Sequence, residues 1–186
     1  MTVSLDLDRR FRDAAAREGL VDVAYELHDT PLGTLFLAGT DRGLARIVYD
    51  ADPEQELELL ARTFGLRVLR SSIPVDEARR QLDEYFEHRR TSFDLALDLR
   101  LLADFNRRVL DELVRVPYGE VVTYGELAAR AARPRAARAV GTVMNRNPIP
   151  IVLPCHRVIG ANGKLVGYGG GLDRKEALLR LEGALL

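Results

Sequence analysis

Cysteine occurs once in this chain of 186 residues, at position 155, and tryptophan does not occur at all. A single thiol excludes an internal disulfide and any zinc site built from several cysteines of this chain, so no metal is expected. Long apolar runs are missing as well. No stretch approaches the roughly 20 residues that a bilayer-spanning helix needs, and the N-terminus has no signal-peptide core. With 47% apolar residues the chain can still bury one sizeable core or two small ones. These absences point to a cytoplasmic protein with no membrane partner, in a reducing setting where a reactive thiol persists.

Acidic residues are absent from one long stretch. Between Leu127 and Leu172 there is no Asp or Glu, while Arg130, Arg133, Arg135, Arg138, Arg146, Arg157 and Lys164 all fall there. The net charge of −1 hides this: residues 1–100 carry 14 basic and 20 acidic side chains, residues 101–186 carry 13 and 8. A charge run is usually a solvated face. An acid-free stretch that also holds the one cysteine reads better as the footprint of a polyanion, and nucleic acid is the expected partner.

That cysteine stands in Asn147-Pro148-Ile149-Pro150-Ile151-Val152-Leu153-Pro154-Cys155-His156-Arg157-Val158. Pro148, Pro150 and Pro154 each remove a backbone donor and hold the preceding residue extended, so neither a helix nor a central strand can run through to the thiol. Cys155 is therefore delivered at a stiff bend. A lone cysteine is more often a small buried hydrophobe than a nucleophile. Here a histidine neighbour, three prolines and the glycine-rich Gly160 to Gly171 stretch favour a nucleophile, and Arg157 is a nearby cation able to favour the thiolate. Adjacent residues do not face each other on a regular element, so a Cys155–His156 relay needs the bend or an intervening water.

The N-terminal half reads as a small mixed domain. Residues 22–28, 33–39 and 43–49 are β-rich runs separated by turn compositions, which suggests an antiparallel meander. Asp52-Pro53 is an N-cap and first-position pair opening a helix that stops near Gly65, and a second helix spans about 75–88. Phe93, Leu95, Leu97 and Leu99 alternate as a half-buried strand should. Residues 6–18 form a peripheral helix. Nothing in this half carries chemistry, and His28 and His88 read as surface or packing residues.

In the second half a helix is expected from about Leu101 to Val116, ended by Pro117-Tyr118-Gly119. Thr123-Tyr124-Gly125-Glu126 has the spacing of a capping box, placing a short helix from Thr123 to about Ala131. Pro134 fits the first position of another helix that ends before Asn147-Pro148. Two short helices joined by a tight turn make a helix-turn-helix candidate, although plain helical hairpins of that size also occur. The second of them is rich in small residues, Ala136, Ala137, Ala139 and Gly141, which suits close backbone approach better than base reading in the major groove.

Pro154-Cys155-His156-Arg157-Val158, preceded by Asn147-Pro148 and followed by Gly167-Tyr168-Gly169-Gly170-Gly171-Leu172, closely resembles the signature of the O6-alkylguanine-DNA alkyltransferases, also called methylated-DNA–protein-cysteine methyltransferases. The resemblance runs from about Phe105 to Glu182 and weakly through the N-terminal half. It implies a two-domain α+β fold. After an N-terminal helical extension at 1–22 would come an RNase H-like sheet-and-helix scaffold at 23–100 and a mostly helical helix-turn-helix domain at 101–186.

The resemblance also implies the chemistry. Such proteins repair DNA by direct reversal, moving an alkyl group from O6 of a flipped guanine in duplex DNA to the cysteine, once per molecule and without a cofactor. Carried over, Cys155 is the nucleophile, His156 its base through a water, and Glu182 the residue that orients the imidazole. Asn147 would brace the bend. Tyr124 would bond the guanine ring nitrogen, the Val158 carbonyl would accept from its amine, and Tyr168 and the Gly169 N–H would border O6, with Lys175 near the pocket. Arg138 would enter the base stack from the minor groove, with Arg135, Ala136, Ala137 and Arg157 on the DNA. The protein is expected to act as a monomer, with cooperative assembly on DNA and action on O4-alkylthymine left open. Two rivals remain: a damage sensor without chemistry, which typically replaces the nucleophile, commonly by tryptophan, and a cysteine hydrolase, which leaves the arginine-rich helices unexplained.

Overall fold

The computed structural model describes residues 5–185; residues 1–4 of the expected N-terminal extension, and residue 186, lie outside them. No helix among the described residues is long and apolar enough to cross a membrane. The chain divides after Asp98 into two compact units.

The first unit is built on a meander of β1 (Val23–Thr30), β2 (Gly33–Thr40) and β3 (Gly43–Tyr49), after a helix α1 (Leu5–Arg17). The expected turns close it: Thr30 Oγ1 donates to the Gly33 carbonyl at 2.7 Å, and Gly33 and Gly43 both take positive φ. A fourth strand absent from the expectation, β4 (Val68–Arg70), adds in parallel to β1, giving the order β3-β2-β1-β4. At three residues it is too short to show a period.

β2 is central and buried along most of its length because both faces of the sheet are covered. Helix α2 (Pro53–Phe64) is capped by Asp52, whose side chain accepts from the Glu54 N–H, and it ends at Gly65 as expected. It lays Leu57, Leu60 and Phe64 against Val23, Phe36 and Ala38. The opposite face, carrying Leu35 and Leu37, receives α3 (Asp76–Phe86): His28, paired with Leu35 in the sheet, lies 2.8 Å from Asp83 of that helix.

The expected strand at 93–99 does not form. Its one bridge, Leu97 to Leu44, is isolated. The buried Gln81 side chain donates to the Asp94 carbonyl and accepts from the Asp94 N–H, both at 2.8 Å, and so takes the place of a neighbouring strand. Alternating leucines report burial on one side and are silent on what satisfies the backbone.

The second unit is mainly helical: α4 (Asp104–Val114), α5 (Tyr124–Arg130), α6 (Ala137–Asn145) and α7 (Leu172–Leu181). Two short strands, β5 (Val122–Thr123) and β6 (Val158–Ile159), pair in parallel. The capping box is complete, with the Glu126 N–H on Thr123 Oγ1 at 3.2 Å and the Thr123 N–H on Glu126 Oε2 at 2.8 Å. α6 begins at Ala137, later than Pro134 suggested. Pro134 lies in a turn over 131–136 in which Ala132 has φ +59° and the Ala136 N–H donates to the Arg133 carbonyl at 2.9 Å. That turn consumes the residues that would have formed the first helical turn.

Gly43 tests this frame. Its φ is +126°, and a Cβ there would stand 2.1 Å from the Ala96 carbonyl oxygen. Gly43→Ala should destabilise the protein by at least about 3 kcal/mol in a denaturant titration, through backbone strain and displacement of the 93–98 segment.

Candidate active site

The bend that presents Cys155 is held by one side chain. Asn147 Oδ1 accepts from the Ile149 N–H at 3.1 Å, while its Nδ2 donates to the Leu153 carbonyl at 2.8 Å and to Cys155 Sγ at 3.0 Å. Within the loop so closed, Ile151 has φ +74°, a conformation β-branched residues rarely adopt. Such strain costs about 1–3 kcal/mol, and burial of Ile149, Ile151 and Leu153 offsets it. Cys155, His156 and Arg157 then form a single 3₁₀ turn leading into β6.

Glu182, at the C-terminal cap of α7, is the charged centre of the site. Its Oε1 lies 2.8 Å from His156 Nε2 and accepts from Arg157 Nη2 at 2.9 Å. Oε2 accepts from Arg157 Nε at 2.8 Å and from the Gly119 N–H at 3.3 Å. Burial alone would raise the carboxyl, but the hydrogen bonds and charge of His156 and Arg157 outweigh it and bring it down to about 2. His156 moves the other way: burial lowers it below the ordinary imidazole range and exceeds the opposing pull of Glu182. An ionised carboxylate beside a neutral imidazole assigns the ring proton to Nε2. Nδ1, also buried, then carries a lone pair with no hydrogen-bond partner among the described residues.

Around the sulfur the charges are similarly restrained. Cys155 is 4% exposed. Burial pushes its thiol up to about 11, against the hydrogen bond from Asn147 and the charge of Lys175. Lys175, fully buried, donates from Nζ to the Val158 carbonyl at 2.5 Å and to the Val166 carbonyl at 3.0 Å. Burial brings its ammonium down to about 8. Tyr124 donates its hydroxyl to the same Val166 carbonyl at 3.1 Å, tying the first residue of α5 to the glycine-rich loop. No group of three His, Cys, Asp or Glu side chains that could hold a metal exists among the described residues.

Residues 104–184 match the family model of the 6-O-methylguanine DNA methyltransferase DNA-binding domain, and residues 23–99 match that family's ribonuclease-like domain. The chain belongs to the 6-O-methylguanine DNA methyltransferase family. It is similar to a methylated-DNA–protein-cysteine methyltransferase of Mycolicibacterium paratuberculosis, at 46% identity over 86% of this chain and 92% of that one. A protein of the same name from Methanosarcina barkeri is 43% identical over 85% of this chain and 96% of its own length. The crystal structure of Mycobacterium tuberculosis OGT in complex with DNA superposes with a TM-score of 0.76 at 43% identity, covering 87% of this chain and 93% of that one. The two-domain α+β architecture, with a ribonuclease-like first domain, is that of the family.

Of the residues singled out in the sequence, the second unit links Asn147 to Cys155, His156 to Glu182, and Lys175 to Val158 by hydrogen bonds. Tyr168, half-buried, and Gly169, exposed, lie on the loop between β6 and α7. Arg135 and Ala136 belong to the turn before α6, while Ala137 and Arg138 open that helix, with both arginines exposed.

Arg157 is the exception. At 6% exposure, with Nη1 on the Val116 carbonyl at 2.6 Å and its other nitrogens on Glu182, it has no face to offer DNA. Nor is it the cation that acts on the thiol, a part that falls to Lys175. Sequence reasoning also missed the Gly119 N–H and the Val116 and Val166 carbonyls. Pro117-Tyr118-Gly119 carries only a helix stop signal in the sequence, and backbone groups leave no residue-type signature.

Two measurements follow from these charges. The Cys155 thiol should react with iodoacetamide near neutral pH at least about 100-fold more slowly than an exposed thiol, accelerating up to about pH 11, as peptide mass analysis would read. Glu182, lower in the folded than in the unfolded chain, contributes stability that is fully present above about pH 4.5 and lost as pH falls through about 2. That contribution is about 3 kcal/mol, and Glu182→Gln should flatten this acid limb of the denaturation profile.

Proposed function

We propose that this protein repairs DNA by direct reversal, taking an alkyl group from O6 of a flipped guanine in duplex DNA onto Cys155 Sγ, once per molecule. The observation that carries this is the chain's one thiol, held by Asn147 in a buried turn whose next residue is paired with an ionised carboxylate. The balance is simple. The S–C bond forms as the C–O6 bond breaks, the electron pair of that bond stays with guanine, and the thiol proton ends on the base.

The resting thiol is neutral, so its proton must leave during attack. His156 Nδ1 takes it through a water, and the charge that then develops on the imidazole faces Glu182. The departing guanine anion is stabilised by a hydrogen bond from Tyr124 to its ring nitrogen and is neutralised by the proton that His156 took from the thiol, while the Val158 carbonyl accepts from its amine and Tyr168 and the Gly169 N–H border O6. Lys175 fixes that carbonyl and, by its charge, favours the thiolate. A thioether has no route back to a thiol, which makes the protein a stoichiometric reagent.

Binding is to the minor groove through a helix-turn-helix formed by α5 and α6. Arg138 occupies the gap left by the extruded base, and Arg135, Ala136 and Ala137 lie against the backbone. The acid-free composition of residues 127–172 supports this and makes affinity salt-sensitive. The protein is read as a cytoplasmic monomer when free.

Incubation with a duplex carrying one O6-methylguanine, followed by intact and peptide mass analysis, should show one methyl group on Cys155, unmodified guanine in the product and no second turnover. Cys155→Ser should bind the same duplex and gain no mass. Tight binding by the natural protein without a mass change would make it a sensor and sink the reading.

A further inference from the structure

We propose that Arg157 is a positioning residue of this transfer: by gripping both oxygens of Glu182 it fixes the carboxylate against His156 Nε2 and balances its charge, which together with burial leaves the imidazole neutral and Nδ1 open to receive the thiol proton. The proposal rests on the alkyl-transfer reading above. Its geometry is a fork: Arg157 Nε meets Oε2 at 2.8 Å, and Nη2 meets Oε1 at 2.9 Å, the oxygen that also lies 2.8 Å from His156 Nε2. The third nitrogen, Nη1, is anchored on the Val116 carbonyl at 2.6 Å, and the Tyr118 ring lies 6.0 Å from the guanidinium carbon. The guanidinium is therefore held on three sides, and lysine could not reproduce the fork.

The consequence concerns where a proton sits. A buried carboxylate facing an imidazole alone draws a proton onto the pair, because an uncompensated charge is costly away from water. Arg157 supplies the compensating charge permanently, so the pair is balanced without protonating the ring. The charged groups acting on His156 are Glu182 at the end of α7, Lys175 within α7, and Arg157 in its own turn. Burial, Arg157 and Lys175 all disfavour the imidazolium, and only Glu182 favours it. A base already protonated could not accept from the thiol. The fork therefore does more than bolt the turn to the helix end.

The test reads the ring and the reaction separately, in the full chain. In nitrogen NMR of His156, the natural protein should keep a neutral Nε2–H imidazole at pH values where an ordinary imidazole is protonated, whereas Arg157→Gln should take up a proton at least about one pH unit above the natural protein. In single-turnover transfer from saturating O6-methylguanine duplex, the Arg157→Gln rate should fall between about pH 8 and pH 6 in proportion to the imidazole protonated in its NMR titration, while the natural protein changes less than about twofold. The double variant Arg157→Gln with Glu182→Gln removes both charges and should lose this acid limb again. An Arg157→Gln protein whose imidazole midpoint and acid limb match the natural ones would reduce Arg157 to a structural bolt and overturn the proposal. Should that variant not fold, Arg157→Lys, which keeps the charge and loses the fork, takes its place, and an imidazole midpoint and acid limb that match the natural ones in that variant overturn the proposal. A neutral ring in a protein that transfers no alkyl group would instead fail the functional reading.

Discussion

A carboxylate can stay ionised inside a protein only if every lone pair it presents is met, and Glu182 is the place where this chain satisfies that condition. Its partners come from separate pieces of the second unit. The Gly119 N–H belongs to the turn after α4, His156 and Arg157 to the turn that presents the thiol, and the carboxylate itself to the end of α7. Asn147 braces this turn on the side of the sulfur, and the carboxylate ties its His156 and Arg157 side to the end of α7. Removing the charge would therefore disturb stability and chemistry together.

Around this fixed anion the remaining ionisable groups are kept quiet. Cys155 is a thiol, His156 a neutral base, and Lys175 an ammonium brought down to about 8, held by backbone carbonyls. The arrangement suits a reaction that begins and ends with uncharged partners, since only a proton and an alkyl group change place. Electrostatic work is confined to the moment of attack, when negative charge moves from sulfur to the departing base.

Much of this was legible in the sequence where local chemistry decides structure. Asp52-Pro53 with Gly65, the Thr123 to Glu126 box and the paired turns of the meander each carry their own signal, and the corresponding elements stand where those residues put them. Cys155, Asn147, His156 and Glu182 were legible through a motif. What escaped was decided at a distance. Gln81 replaces a strand for Asp94, β4 is three residues long, and a turn at 131–136 delays α6. Arg157 escaped for a related reason: a lone arginine in an acid-free run looks solvent-facing until its partner, 25 residues on, is seen to be buried with it.

Ile151 shows how the nucleophile is tied to the whole. A β-branched side chain in the left-handed region is disfavoured in an isolated peptide, so the loop from Asn147 to Cys155 has no local preference for the shape it adopts. Its curvature exists because the second unit's interior accepts Ile149, Ile151 and Leu153 together. The thiol is thus placed by cooperative packing rather than by the motif that marks it. A chain that has collapsed without reaching its native interior would still carry Pro154-Cys155-His156-Arg157-Val158 but hold no placed sulfur, so reactive competence doubles as a report of complete folding.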